Sequence, residues 1–432
     1  MPELWRNWAG DQRCAPDAID RPSSEEEVAA AIGRAAGAGR SVRVAGAGHS
    51  FSDIVLTDGH LLDLSRMDRV LSADRTTGLA EVEAGISIRD LGPKLADHGL
   101  ALENQGDVDP QSVAGAISTA THGTGAGFRN ISAQVAGLRL ITDGGEAVDC
   151  SEDSEPELFR AARVGLGALG VITRVTLRCA PSYTLRRSDA PRPLDETLGR
   201  LDELVDGHER FELFVFPYTR TALTRVTEST PDEPEPMAPA AEWLQDVVLE
   251  NAVLELFSRA GRALPAAVPS LNRTIARLLQ PSERVDRSYR IYANPRKVRF
   301  TEMEYAVPRA AGREALERVL AMIERRRLPI SFPLEFRFVA ADDAYLSPSN
   351  GRATAYIAVH VYRGMEHETY FRAVESIMRE YDGRPHWGKR HYRTAADLAP
   401  AYPDWDRFAE ARERLDPNRR FRNDYADRVL GS

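Results

Sequence analysis

The sequence predicts a two-domain α+β protein, and three observations carry that expectation. The chain has 432 residues, too many for one compact core. Helix-like and strand-like runs alternate up to Cys179. Beyond Cys179-Ala-Pro181 the composition shifts and long strand patterns take over.

The elements follow in order. Ser23, with Glu26 three residues later, reads as a capping box that opens a helix, which Gly37 to Gly39 ends. Ser41-Val-Arg-Val44 continues as a strand and breaks into small residues. Leu61-Leu-Asp-Leu64 and Leu79-Ala-Glu-Val-Glu83 are short strands. Ser87 to His98 is a helix closed by Gly99, and Val135 to Ile141 is a strand turned by Asp143-Gly-Gly145. Pro231 to Pro239 is acidic and Pro-rich and reads as an exposed loop. Residues 243–280 are mostly helical in pattern. Strands return at Arg299–Tyr305, Ser331–Val339 and Thr354–Tyr362.

Composition narrows the function classes. The chain is 43% hydrophobic and 28% charged, as a globular protein is. A formal net charge of -9 argues against a nucleic-acid partner. No apolar run reaches membrane-spanning length, and Met1 to Trp8 lacks the layout of a signal peptide, so a cytoplasmic location is expected. Cys14, Cys150 and Cys179 are scattered, which fits reduced thiols and no metal site. Oligomeric state is not legible.

Two glycine-rich stretches suggest a phosphate-bearing ligand. In Ala45-Gly-Ala-Gly-His-Ser-Phe51, Gly46 and Gly48 allow close backbone approach, and successive N–H groups can form an anion nest beside His49. From Asn104 to Gly127 small residues dominate, with donors at Ser112, Ser118, Thr121 and Thr124 and one imidazole at His122. That stretch reads either as a surface for a planar ligand or as a tightly packed helix and turn. Gly165-Leu-Gly-Ala-Leu-Gly170 is a literal G-x-G-x-x-G, but it follows a helix and leads into a strand. This reverses the dinucleotide-binding context.

Period-two alternation puts Glu335 and Arg337 on one strand face, opposite Leu334, Phe336 and Phe338. They form either a structural ion pair or a clamp for a polyol. His360 interrupts an apolar strand and reads as a core histidine or a site residue.

Ala45 to Asp53, Thr119-Ala-Thr-His-Gly-Thr-Gly125, Gly170-Val-Ile-Thr173 and His386-Trp-Gly-Lys389 together resemble the FAD-linked oxidases of the vanillyl-alcohol-oxidase superfamily. Within it the chain is similar to the sugar-lactone branch, the L-gulono- and D-arabinono-1,4-lactone oxidoreductases, together with the alditol oxidases. Trp5-Arg-Asn-Trp-Ala-Gly10 and Leu415 to Tyr425 extend the likeness nearly end to end.

The resemblance implies a two-domain fold. Residues 1–180 would form a PCMH-type FAD-binding α/β domain, to which a tail from about 400 to 432 returns. Residues 181–400 would form a substrate domain with a mostly antiparallel sheet flanked by helices. It implies FAD held covalently through His49, with the alternative of noncovalent FAD over a hydrogen-bonding His49. Ala45, Gly46, Ala47, Gly48, Ser50, Phe51, Ser112, Ser118, Thr121, His122, Gly123, Thr124, Gly125, Val171, Ile172 and His386 would contact the cofactor. Glu335, Arg337, Lys389 and His360 would act on the substrate. The implied reaction oxidises a hydroxyl of a polyol or aldono-1,4-lactone by hydride transfer to flavin N5. The electrons then pass to O2, giving H2O2, or to another acceptor. His360, His391 and water are all open as proton acceptor. Two other readings are a flavoenzyme of a biosynthetic pathway acting on a sugar or nucleoside hydroxyl, and a non-enzymatic sugar- or nucleotide-binding protein.

Overall fold

The structure is a computed structural model, and it describes residues 3–238, 251–294 and 296–431. The expected helical stretch 243–250 and Pro239 of the expected loop lie outside the described residues.

The first helix spans Glu25–Gly37 and buries Val28, Ala31, Ile32 and Ala35. Its cap is Ser24, which accepts from the Glu27 N–H, while Ser23 donates its N–H and hydroxyl to the Glu27 carboxylate. The expected Ser23–Glu26 box is therefore displaced by one residue. Two serines followed by three glutamates offer two registers, and the buried apolar stripe selects the second. Ser87 caps the helix Ile88–Asp97, and Gly99 at φ +71° ends that segment as expected.

Three parallel strands, Ala18–Asp20, His60–Asp63 and Val42–Ala45, form a small sheet. Beside it stands a five-stranded antiparallel sheet ordered Ala147–Ser151, Val135–Ile141, Val171–Arg178, Leu79–Glu83 and Val70–Asp74. Its core includes Val82, Leu138 and Leu177, and also Tyr402, Phe408, Leu415, Tyr425 and Val429 from the end of the chain.

The other large sheet has eight strands, all antiparallel: Ser282–Arg287, Thr184–Pro193, Thr221–Thr230, Arg210–Val215, Leu334–Val339, Thr354–Tyr362, Phe300–Pro308 and Arg384–Pro385. Alternation divides its faces. Leu213, Met303, Tyr305, Leu334, Phe336, Phe338, Ile357 and Val359 share a core with the helices Gly312–Arg326 and Glu368–Arg379. Glu212, Glu302, Glu304, Glu335, Arg337 and His360 occupy the alternate positions and are also buried. The outcome is an α+β fold whose second sheet has one apolar face and one charged face.

Arg43 ties the segments around the small sheet together. Its guanidinium donates to the carbonyls of Ile54 (3.0 and 2.6 Å), Gly167 (3.1 Å), Phe421 (2.8 Å) and Leu166 (2.9 Å). Burial brings its pKa down to about 10, so it remains a cation at neutral pH. Replacing Arg43 with Met strands these buried carbonyls. The expected loss is roughly 3–5 kcal/mol of stability, read as a lowered urea midpoint. A midpoint equal to that of the parent protein would contradict it.

Candidate active site

The strand Val42–Ala45 delivers the chain to Gly46, which packs against Ser112. A Cβ there would stand 2.3 Å from Ser112 Oγ. Gly48 follows at φ +69°, in the left-handed region that glycine enters freely. The loop walls a cavity of about 290 Å³, with Ser112, Ser118 and Thr119 on a second side and Leu166, Gly167, Gly170 and Ile172 on a third. Among the described residues, no protein group accepts from the N–H groups of Ala47, Gly48, His49 or Ser50. Unused N–H groups in series, hydroxyls opposite them and an apolar wall fit a flavin nucleotide: donors for its phosphates and close approach for its planar ring.

His49 is half-buried and stacked on Trp8, with ring centroids 5.4 Å apart. Burial, reinforced by the positive charges of Lys389 and Arg89, lowers its pKa to about 4, so the imidazole is neutral at physiological pH.

A second, smaller cavity of about 50 Å³ adjoins the first, and His49, Ser50 and Gln111 line both. Its wall also carries six charged groups, Asp107, Glu302 and Glu304 against Arg296, Arg337 and Lys389, beside the rings of Trp8, Phe51 and Phe300. Sheet register explains how these charges are held. Asp189, Arg225, Glu212 and Arg337 are neighbours across four successive strands. They pair in turn at 2.8, 3.5 and 2.7 Å. Arg337 also meets Glu335 at 2.8 Å and Asp107 at 3.5 Å. Arg296 binds Asp107 and, at 3.2 Å, Glu335. Lys389 Nζ lies 2.5 Å from Glu302 and 5.1 Å from the Phe51 ring centroid.

Opposed effects set the protonation states. Burial alone would raise the Glu302 carboxyl, but Lys389 and His360 outweigh it and bring the pKa down to about 2. Burial alone would lower the Lys389 ammonium, but Glu302 and Glu304 outweigh it and raise it. Burial alone would lower the Arg337 guanidinium, but Glu335, Glu212 and Asp107 outweigh it and raise it. Burial lowers His386 to about 3, with Glu304 opposing.

The residues expected from the sequence divide into four groups. Ala45, Gly46, Ala47, Gly48, Ser112, Ser118 and Ile172 line the first cavity. Phe51, Thr121, His122 and His386 line the second and not the first, alongside Arg337 and Lys389. Gly123, Thr124 and Gly125 line neither, although they were expected at the cofactor. The Gly125 N–H donates to Phe338 O at 2.8 Å. The Thr124 hydroxyl donates to Phe211 O at 2.6 Å and accepts from the Phe338 N–H at 3.2 Å. A Cβ on Gly123 would stand 2.4 Å from Gln105 O. This segment docks the Asn104–Gly127 stretch onto the large sheet, the tight-packing alternative left open by its composition. Val171 is fully buried in the neighbouring apolar core. Glu335 and His360 stand behind the cavity wall: Glu335 holds the two arginines, and His360 Nε2 faces Glu302 at 3.6 Å. His391 lies elsewhere, 3.2 Å from the Tyr425 hydroxyl.

Asp107, Arg296, Glu302, Glu304, Glu212 and Gln111 join the site although the sequence reading passed over them. Glu302 and Glu304 were findable, because they are two apart in an apolar strand, as Glu335 and Arg337 are. His122, Glu304 and His386 bring ligand-type atoms within 4.8 Å of one another. Protein partners already engage them: His122 Nε2 meets Glu304 at 3.3 Å, and His386 Nδ1 accepts from the Gly388 N–H at 3.1 Å.

A family profile described as D-arabinono-1,4-lactone oxidase matches residues 175–429, well over half of the chain. The chain belongs to that family. A second profile, described as FAD binding domain, matches residues 16–151, which contain most of the first cavity's wall. Across 431 residues and the full length of both proteins, this lactone-oxidase family member is 55% identical to an L-gulono-1,4-lactone dehydrogenase of Mycobacterium tuberculosis. It is 36% identical to an L-gulonolactone oxidase of Bos taurus, covering 99% of this chain and 98% of that one. Among solved structures, a solvent-stable cholesterol oxidase superposes with a TM-score of 0.84 over 100% of this chain and 98% of its own. At 19% identity this is a likeness of fold alone.

In protein produced without flavin, the His49 imidazole is expected to stay neutral until pH falls to about 4, as read from its C2 proton shift in NMR. A midpoint near the usual 6.5 would show that the loop does not bury it.

Proposed function

We propose that this protein oxidises a hydroxyl group of an aldono-1,4-lactone, using FAD joined covalently to His49. The wall shared by the two cavities supports this: His49 and Ser50 face both the cavity fitted for a nucleotide and the charged one. We read residues 1–180, with the segment from about 400 to 432, as the FAD-binding domain, and residues 181–400 as the substrate domain. The site is taken to work in the cytoplasm. Among the described residues no helix is long and apolar enough to cross a membrane.

Bound FAD supplies a hydride acceptor. The chain's own residues do the rest. A neutral His49 keeps a nitrogen lone pair free to bond the flavin's 8α-methyl carbon. Arg337, held in place by Glu212 and Glu335, and Lys389, paired with Glu302, are the positive charges for the oxygen that becomes a carbonyl. Three carboxylates and three cations balance around the smaller cavity, which favours a neutral polyhydroxylated substrate over an anionic one. An alditol has the same chemistry and belongs in the same test. Glu335, behind the wall, orients the two arginines and does not itself grip substrate.

Aerobic turnover of a panel of aldono-1,4-lactones and alditols, followed by peroxide release and by reduction of an added dye, tests the reading and separates oxidase from dehydrogenase. A colourless protein, or flavin that no panel member reduces, would sink it. His49→Ala is expected to release its flavin on acid precipitation, and flavin retained in the precipitate would move the attachment point elsewhere. Lys389→Met is expected to keep its flavin and lose roughly 100-fold or more in kcat/KM, the usual scale for a lost electrostatic donor. A near-parental value would remove Lys389 from the reaction.

A further inference from the structure

Oxidation of an alcohol releases a proton as well as a hydride, and the proton needs an acceptor at the substrate oxygen. Six groups on the wall of the charged cavity could take one: His49, His122, His386, Asp107, Glu302 and Glu304. Their hydrogen bonds dispose of most of them.

His49 is committed to the flavin under the function proposed above. His386 accepts the Gly388 N–H on Nδ1 at 3.1 Å, so its neutral ring carries its proton on Nε2 and offers a donor. His122 must carry a proton on Nδ1 to meet the Gly123 carbonyl at 2.8 Å, and its Nε2 is taken up by Glu304 at 3.3 Å. That contact also occupies Glu304. Asp107 is gripped by two guanidinium groups, those of Arg296 and Arg337.

Glu302 is different. Its partner on the cavity side is Lys389, a single ammonium on a flexible four-carbon stem rather than a planar fork. Lys389 can turn toward a substrate oxygen and, in doing so, release the carboxylate beside it. The charged groups facing Glu302 from neighbouring elements are Lys389 at 2.5 Å, His360 at 3.6 Å and, two residues along its own strand, Glu304. The remaining candidates, His360 and His391, do not reach the cavity wall.

We propose that Glu302 is the catalytic base and acts as a pair with Lys389. The substrate O–H donates to a Glu302 oxygen while the Lys389 ammonium donates to the same substrate oxygen. As the carbon loses hydride to the flavin, the O–H bond breaks and its proton moves to Glu302. The C–O bond becomes a carbonyl that still accepts from Lys389. Two electrons leave with the hydride and one proton stays on the carboxyl, so the step balances. Loss of that proton to solvent resets the pair.

This rests on the function proposed above, and the test separates the two. The holoenzyme is mixed anaerobically with an aldono-1,4-lactone that the parent protein turns over, and flavin bleaching is followed against substrate concentration and pH. If no panel member bleaches the parent flavin, the function itself fails and Glu302 is not the issue. If one does, Glu302→Gln is expected to retain flavin and to change the half-saturating concentration by less than about fivefold. Its limiting bleaching rate should fall roughly 100-fold or more, on the scale of a lost general base. The residual rate should rise with pH as hydroxide replaces the base. A limiting rate within about threefold of the parent's, or a loss confined to half-saturation, overturns the proposal. Glu302→Asp decides if the glutamine variant does not fold. A lowered limiting rate without the rising pH dependence supports the base. An unchanged limiting rate with weakened saturation overturns it.

Discussion

One face of the eight-stranded sheet buries charge, and each charge taken from water costs several kcal/mol unless another group pairs with it. The sheet supplies part of the pairing itself, through the cross-strand row Asp189–Arg225–Glu212–Arg337. The remainder comes from outside the sheet. Asp107 reaches in from the Asn104–Gly127 stretch, and Lys389 from the segment after the last strand. The Asn104–Gly127 stretch therefore docks where Asp107 helps to complete the network. The same contacts that satisfy the charges place three cations and three carboxylates around the cavity that His49 lines. Stability of the seam and chemistry at the seam have one origin.

The pairing also sorts rigid groups from mobile ones. Arg337 is held by Glu335 and Glu212 at once and cannot turn without breaking both contacts. Lys389 has Glu302 and the face of Phe51, contacts that a flexible ammonium can exchange. A site for alcohol oxidation needs both kinds: a fixed positive field at the substrate oxygen, and a group that adjusts as the proton departs.

The sequence revealed the parts of this arrangement that obey a period or a motif. The Gly46–His49 loop was legible because small residues there have no other use. Glu335 and Arg337 were legible because two opposite charges cannot sit in a buried strand without cause. Glu302 and Glu304 carry the same period-two signal and were passed over as an ordinary strand. Asp107 and Arg296 lie in loops, where no period marks the direction of a side chain, so only folding discloses their pairing. The Gly123–Gly125 turn shows the opposite limit. Small residues that admit a ligand also admit a backbone, and here the occupant is the strand carrying Phe338. The Ser23–Ser24 ambiguity is of the same kind, since two registers satisfied the local rule and burial chose between them.

The loop that bears His49 is not finished by its own neighbourhood. The Phe51 N–H is received by Gly388 O and the Ser52 hydroxyl by Trp387 O, while Arg43 and Asn423 both donate to Ile54 O and Asn423 also to Asp53 O and Leu56 O. Residues past 386 leave the ribosome long after residue 50 does. Until those residues are made, His49 stands in a half-built pocket. The cofactor loop thus takes its final hydrogen bonds from the last part of the chain to be made, so its shape depends on residues more than 330 positions away.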